Sequence, residues 1–245
     1  MNLLIYTPND VARETYIFQH IFKVILGIQY NTTSQAVEFV NYDGPKISYC
    51  ENRVGNELHF KSSGFLSKKG IYQSDLEFAD YKSYSVPFAV ADSVLPFDVF
   101  AASFYLISRY EEYLPSEKDK HDRFSGANSL AFKCNFLHIP VIDNWAFDIL
   151  KLLQERYPNL QLRQRTFIFQ PTLDIDMPFY LKSEGVVRRI LKSLKYILKG
   201  QMNIVLKDDP FDNYTKVSNW DQQFGTKTIY FMLMGNLHRF DVPIH

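Results

Sequence analysis

Short apolar runs and one helical repeat divide the first quarter of the chain. Leu3–Tyr6 reads as a short apolar strand. Thr7–Pro8 follows as a helix start, since proline suits the first helical position. From Asp10 to Leu26 apolar residues recur at helical spacing (Tyr16, Ile17, Ile21, Val24, Ile25), and Gly27 marks the stop. His20 lies on or beside that face, which reads as a core histidine rather than a ligand. Val37–Val40, Lys46–Cys50 and Glu57–Lys61 have strand character, the last two joined by a turn over Glu51–Asn56 that carries Asn52, Gly55 and Asn56.

Further along, Pro96 precedes a predicted helix over Phe97–Tyr113, with Asp98 in its first turn, where a negative charge suits the helix dipole. Phe100, Phe104 and Ile107 mark its buried face. Pro115–Asn128 is polar and loop-like. Trp145–Tyr157 predicts a second helix that Pro158 ends. The last third opens with RTFIFQPTLDID, whose Thr166–Gln170 run reads as a buried strand. A basic amphipathic helix over Gly185–Lys199 and a strand over Lys227–Met234 follow. Strand, helical excursion and strand make a βαβ pattern, so the expectation is a parallel pair.

Composition narrows the class. The 245 residues are 46% hydrophobic and carry 27 basic against 27 acidic side chains, enough apolar surface for a sizeable core and no global charge to capture nucleic acid. Two cysteines, Cys50 and Cys134, cannot build a disulfide framework and read as reduced thiols. The start of the sequence lacks the features of a signal peptide, and no apolar run is long enough to span a bilayer, so the expected location is cytoplasmic.

The sharpest chemical feature is Thr172–Asp176, TLDID. In extended backbone, residues two apart share a face, which puts Asp174 and Asp176 together at the C-terminal end of a strand. Active sites of parallel sheets and barrels gather at that end. Two adjacent carboxylates repel unless a proton or a cation lies between them, and Zn²⁺ held by one Asp with another as base is one solution. The bland alternative is a loop whose carboxylates cap a turn. A D-x-D pair also serves phosphoryl or glycosyl transfer with Mg²⁺ or Mn²⁺, and the chain could equally be a non-catalytic binding or scaffold module.

TLDID, entered from a Phe-rich segment, resembles the first motif (T-F-D-D) of the NodB-type polysaccharide deacetylases. Upstream, FDVFAASFYLISRYEEYLP and KDKHDRFSGANSLAFKCNFLHIPVIDNWA resemble an uncharacterised module that precedes such domains in bacterial envelope-polysaccharide proteins. The resemblance implies a (β/α) barrel that binds a divalent metal, usually zinc, and hydrolyses acetyl groups from polysaccharide or lipid-linked sugar. It implies Asp174 as the catalytic base and Asp176 as a metal ligand, although Ile175 separates two residues that are adjacent in the family. The family's H-x3-H pair has no counterpart among His20, His59, His121, His138, His238 and His245.

The expected fold is therefore α/β. A mixed N-terminal module with a helical second half spans residues 1–164, and residues 165–245 hold the first strands of an incomplete deacetylase-type barrel. From Thr166 onward 80 residues remain, against the roughly 250 of a closed barrel, so the chain is expected to be the inactive N-terminal portion of a longer enzyme. Arg188, Arg189, Lys192, Lys195 and Lys199 flank an apolar stripe that can lie on the inner face of an anionic membrane. An unfinished sheet is compatible with a homodimer. Trp145 and Trp220 read as core or as sugar-stacking surfaces, and the Lys118–Phe124 loop as a turn held by local ion pairs.

Overall fold

The structure, a computed structural model, describes residues 2–9, 11–160, 166–180, 186–200 and 209–232. The chain divides into two compact units, Met1–Arg165 and Thr166–His245.

The first unit is built on a four-stranded, wholly parallel sheet of β1 (Leu3–Tyr6), β2 (Tyr30–Thr33), β3 (Lys46–Cys50) and β4 (Leu58–Lys61), in the spatial order β2-β1-β3-β4. Alternation along the strands sorts its two faces. Leu3 and Ile5 of β1, Ile47 and Tyr49 of β3 and Phe60 of β4 enter the main core. There they meet α1 (Ala12–Phe18), α3 (Val99–Ile107) and α5 (Val141–Arg156). Phe100 of α3 is the hub of this core, with ring centroids of Phe18, Tyr49 and Phe60 at 5.0, 5.1 and 5.5 Å, all edge-on. Edge-to-face pairs add about 0.5–1.5 kcal/mol each beyond the area they bury.

On the opposite face, Tyr6 stacks on Phe39 of α2 (Ala36–Asn41) at 5.3 Å. Lys46 closes that helix by donating to the carbonyls of Phe39, Val40 and Tyr42. Val37–Val40 thus belongs to a helix, not to the expected strand; Val37 and Val40 point to solvent and Phe39 alone anchors it.

The helix after β1 changes character midway. α1 continues as a π-helix over Gln19–Ile25, and Gly27 ends it at φ 67°. Its buried residues come at Ile17, Ile21 and Ile25, and again at Phe18, Phe22 and Leu26, a repeat of four. On an α-helix such a repeat drifts about 40° per step; wider winding with i→i+5 bonds, such as Leu26 N–H to Ile21 C=O at 3.0 Å, keeps it on one face.

The turn residues of Glu51–Asn56 do lie between β3 and β4, and the two strands run parallel through a link of only seven residues, far shorter than the usual helical crossover. A buried polar knot holds this link in place. Ser48 donates to Glu57 at 2.6 Å and lies 2.9 Å from His59 Nδ1, while Glu57 also accepts from the Val54 amide at 3.1 Å. One hydroxyl proton can serve only one acceptor, so Ser48 gives its proton to Glu57 and receives one from His59 Nδ1–H.

The remaining elements surround this sheet. β5 (Phe78–Tyr81) and β6 (Tyr84–Pro87) form an antiparallel hairpin. The expected Phe97–Tyr113 helix breaks at Arg109, which takes φ 51°, and resumes as a 3₁₀ turn over Tyr110–Tyr113. A short helix, α4 (Leu130–Lys133), precedes α5, which starts at Val141 rather than Trp145. Trp145 is fully buried and donates to the Tyr84 hydroxyl at 3.2 Å.

The second unit contains β7 (Thr172–Ile175), α6 (Val186–Leu198), α7 (Tyr214–Phe224) and β8 (Ile229–Met232). β7 and β8 pair in parallel, with Asp174 opposite Phe231. The Thr166–Gln170 run is not the strand it was expected to be; it has no regular structure, and Phe167 is 92% exposed. Residues 233–234 of the second expected strand lie outside the described residues.

Candidate functional site

Asp174 sits within β7, and Asp176 is the first residue past it, in a bend. Both carboxylates are exposed, and among the described residues neither has a hydrogen-bond or ion-pair partner. No group of three or more His, Cys, Asp or Glu assembles among the described residues. His238 and His245 lie outside them.

The resemblance-bearing segments upstream turn out to be braces. The Tyr110 hydroxyl accepts from the Tyr72 amide at 2.8 Å, and Glu111 accepts from the Leu130 amide at 2.7 Å. Burial raises the Glu111 carboxyl above its usual range. Arg109 and Glu112 pair with each other. The Lys118–Phe124 loop is closed by Asp119, which accepts from the amides of His121 and Arg123 and pairs with the Arg123 guanidinium at 2.8 Å.

Sequence reasoning did not reveal the largest cavity described here. The order β2-β1-β3-β4 reverses direction at β1, so the loops after β1 and β3 diverge and leave a crevice at the C-terminal ends of the strands, where open parallel sheets bind ligands. A cavity of about 990 Å³ lies there, lined by Asn9 after β1, Glu51 after β3 and Lys61 and Ser62 at the end of β4. Only the strand order gives the site away, and that order is not readable from local pattern.

Two groups, the buried Asp98 and the half-buried Arg13, fix the walls of this crevice. Asp98 caps α3 through the Ala101 amide at 3.0 Å and also accepts from the Tyr49 hydroxyl at 2.9 Å. The Ser63 amide and hydroxyl donate to it as well, at 2.7 and 2.8 Å, which ties the loop after β4 to α3. Burial pushes the Asp98 carboxyl above its ordinary range against the pull of these donors, and burial followed by the nearby Asp98 raises the Tyr49 phenol well above its own. On the other wall Arg13 of α1 lies over the rings of Phe65, Phe104 and Tyr110 at 5.4–5.7 Å and donates to the carbonyls of Phe65 and Gly70. Cys50 lines the crevice, but burial raises its thiol pKa, so it is a poor nucleophile there.

The Ser48–Glu57–His59 knot has the residue types of a nucleophilic triad and none of the access. Ser48 is fully buried and His59 is 1% exposed, so the knot is a fastening.

Residues 3–158 match the profile of a family of unknown function (DUF7033), which covers more than half of the chain. The chain belongs to that family. No curated protein and no solved structure matches it.

Proposed function

We propose that residues 166–232 are the opening of a metal-dependent carbohydrate deacetylase domain, joined to a DUF7033 unit, and that the parent reaction is hydrolysis of acetyl groups on an envelope polysaccharide or its lipid-linked precursor. One observation carries this reading: β7 and β8 run parallel with a helical excursion between them, and TLDID ends β7 with Asp174 and Asp176 at the strand's C-terminal end. In this reading the domain is the start of a (β/α) barrel.

In this reading Asp174 would accept the proton of the attacking water, and Asp176 would be one of the residues holding a zinc ion, which supplies polarisation of the acetyl carbonyl when bound. The described residues do not complete such a site, since three protein ligands are the norm and only this carboxylate pair is present. That shortfall favours, as second reading, a non-catalytic role for the chain itself. α6 suits work near an anionic membrane: Val187, Ile190, Leu191, Leu194 and Leu198 are exposed beside Arg188, Arg189, Lys195 and Lys199, with no acidic residue in the helix.

The test is metal content by elemental mass spectrometry, with acetate release from tri-N-acetylchitotriose measured alongside. Zinc near stoichiometry that is lost in Asp174→Ala and Asp176→Ala supports the deacetylase reading, as does acetate release abolished by Asp174→Asn. Zinc retained in both variants refutes it. A chain that neither binds zinc nor releases acetate is the outcome both readings give for an unfinished site, so the zinc-bound outcomes decide between them.

A further inference from the structure

The crevice over β1, β3 and β4 belongs to the first unit and includes neither Asp174 nor Asp176, and it is the largest cavity described. We propose that it is a binding site for a short, neutral oligosaccharide segment. This inference stands on the crevice alone and does not depend on deacetylation.

Position and size come first. The crevice lies at the point where strand order reverses, and its volume of about 990 Å³ is at the upper end of the range for small-molecule sites, roughly 300–1,000 Å³. Its lining then selects the ligand. Tyr72 is half-buried, and its ring offers surface for the C–H face of a sugar. Asn9, Ser62, Gln73 and Ser74 supply neutral donors and acceptors in the mixture that hydroxyl groups require. Two lysines and three carboxylates share the lining, so the charges nearly balance and neither a phosphate nor a polycation is favoured.

A nucleotide fits poorly for a further reason. Its phosphates need a glycine-rich first turn with free amides, and Thr7-Pro8-Asn9 stands there instead, with Pro8 offering no N–H at all. The walls are also set before any ligand arrives. Asp98 holds Ser63 from beneath, Tyr110 holds the Tyr72 amide, and Arg13 holds the carbonyls of Phe65 and Gly70. Preformed walls spare a weak, polar ligand the entropy of ordering them.

The experiment is isothermal titration calorimetry on the full chain with cellotriose, maltotriose and tri-N-acetylchitotriose, and with inorganic phosphate and AMP as counter-probes. At least one trisaccharide is expected to bind. The Gln73→Ala/Ser74→Ala double variant should weaken it roughly tenfold, the effect of losing two ordinary hydrogen bonds. Gln73 is exposed and Ser74 half-buried, and a thermal melt confirms that the variant is folded. Asn9→Ala should weaken binding in the same direction, while Asp174→Asn/Asp176→Asn leaves it unchanged. The proposal is overturned if no trisaccharide binds, if the crevice variants bind as tightly as the native chain, or if phosphate or AMP binds and displaces the sugar. Sugar binding lost only in the Asp174/Asp176 variant would also overturn it, and would place the sugar at the carboxylate pair, in favour of the deacetylase reading.

Discussion

Asp98 offers the strictest test of how the first unit is held together. Replacing it with alanine removes the α3 cap, about 1 kcal/mol, and strands the Tyr49 hydroxyl and the Ser63 amide, each costing about 1–3 kcal/mol when left unpaired in a buried site. Removal of a buried charge returns part of this, so Asp98→Ala should cost about 3–5 kcal/mol. Asparagine fares better. Turned so that its carbonyl takes the place of Oδ2, it keeps the Tyr49 and Ser63 donors and loses only the cap, a cost of about 1–2 kcal/mol. The pH dependence has a definite sign. Burial raises the folded-state pKa of Asp98 above its unfolded value, so this carboxyl's contribution is fully present below the unfolded pKa and is lost as pH rises through the folded one. Asparagine cannot titrate, so the gap between native protein and Asp98→Asn should narrow as pH rises from about 4. Urea titration followed by tryptophan fluorescence reads all of this, in a Trp220→Phe background where the buried Trp145 is the only tryptophan left. A cost below about 1 kcal/mol for alanine, or asparagine as damaging as alanine, would refute the reasoning.

Other consequences are simpler to check. Among the described residues the Ser103 hydroxyl is buried without a partner, so Ser103→Ala should raise stability by about 1 kcal/mol in the same urea assay. Burial holds the His59 pKa below its ordinary value despite the nearby Glu57, so stability should decline as pH falls from about 6.5; His59→Gln should remove that slope between pH 7 and 5. Arg13→Lys keeps the charge and loses the flat guanidinium stacked on three rings, which should speed hydrogen exchange over residues 64–72 and leave α5 protected.

Leu3–Tyr6, a continuous apolar run, and Lys46–Cys50, with Ile47 and Tyr49 alternating, were legible because their side chains decide their state. β2 was not. Its Tyr-Asn-Thr-Thr run is a mostly exposed edge strand, so no alternation records it, whereas Val37–Val40 has β-branched residues and forms a helix around Phe39 alone. The β5–β6 hairpin escaped notice because its two-residue loop puts Lys82 at φ 56°, where glycine or asparagine would have signalled the turn. The parallel sense of β3 and β4 depends on a knot formed by Ser48, Glu57 and His59, three residues that look unrelated in the sequence. The Asp174/Asp176 pair could be found from spacing because its members are neighbours. The crevice could not, because its residues come from the ends of β1, β3 and β4 and from the segments 62–77 and 88–91, which only the tertiary fold brings together.

The π-helical turn has a consequence for what lengths this segment can have. A π-turn takes one more residue into a helix than the α ladder would. Deleting one residue between Gln19 and Ile25 would let the ladder close as α, and six α residues turn the chain through nearly the same angle as seven π residues, so Ile25 and Leu26 stay close to the face that fills the core. A single deletion can therefore be absorbed there, but a further insertion cannot. In a variant library screened for folding, the Gln19–Ile25 stretch should accept single deletions but no insertions, whereas the exposed polar loop at Lys118–Arg123 should accept both.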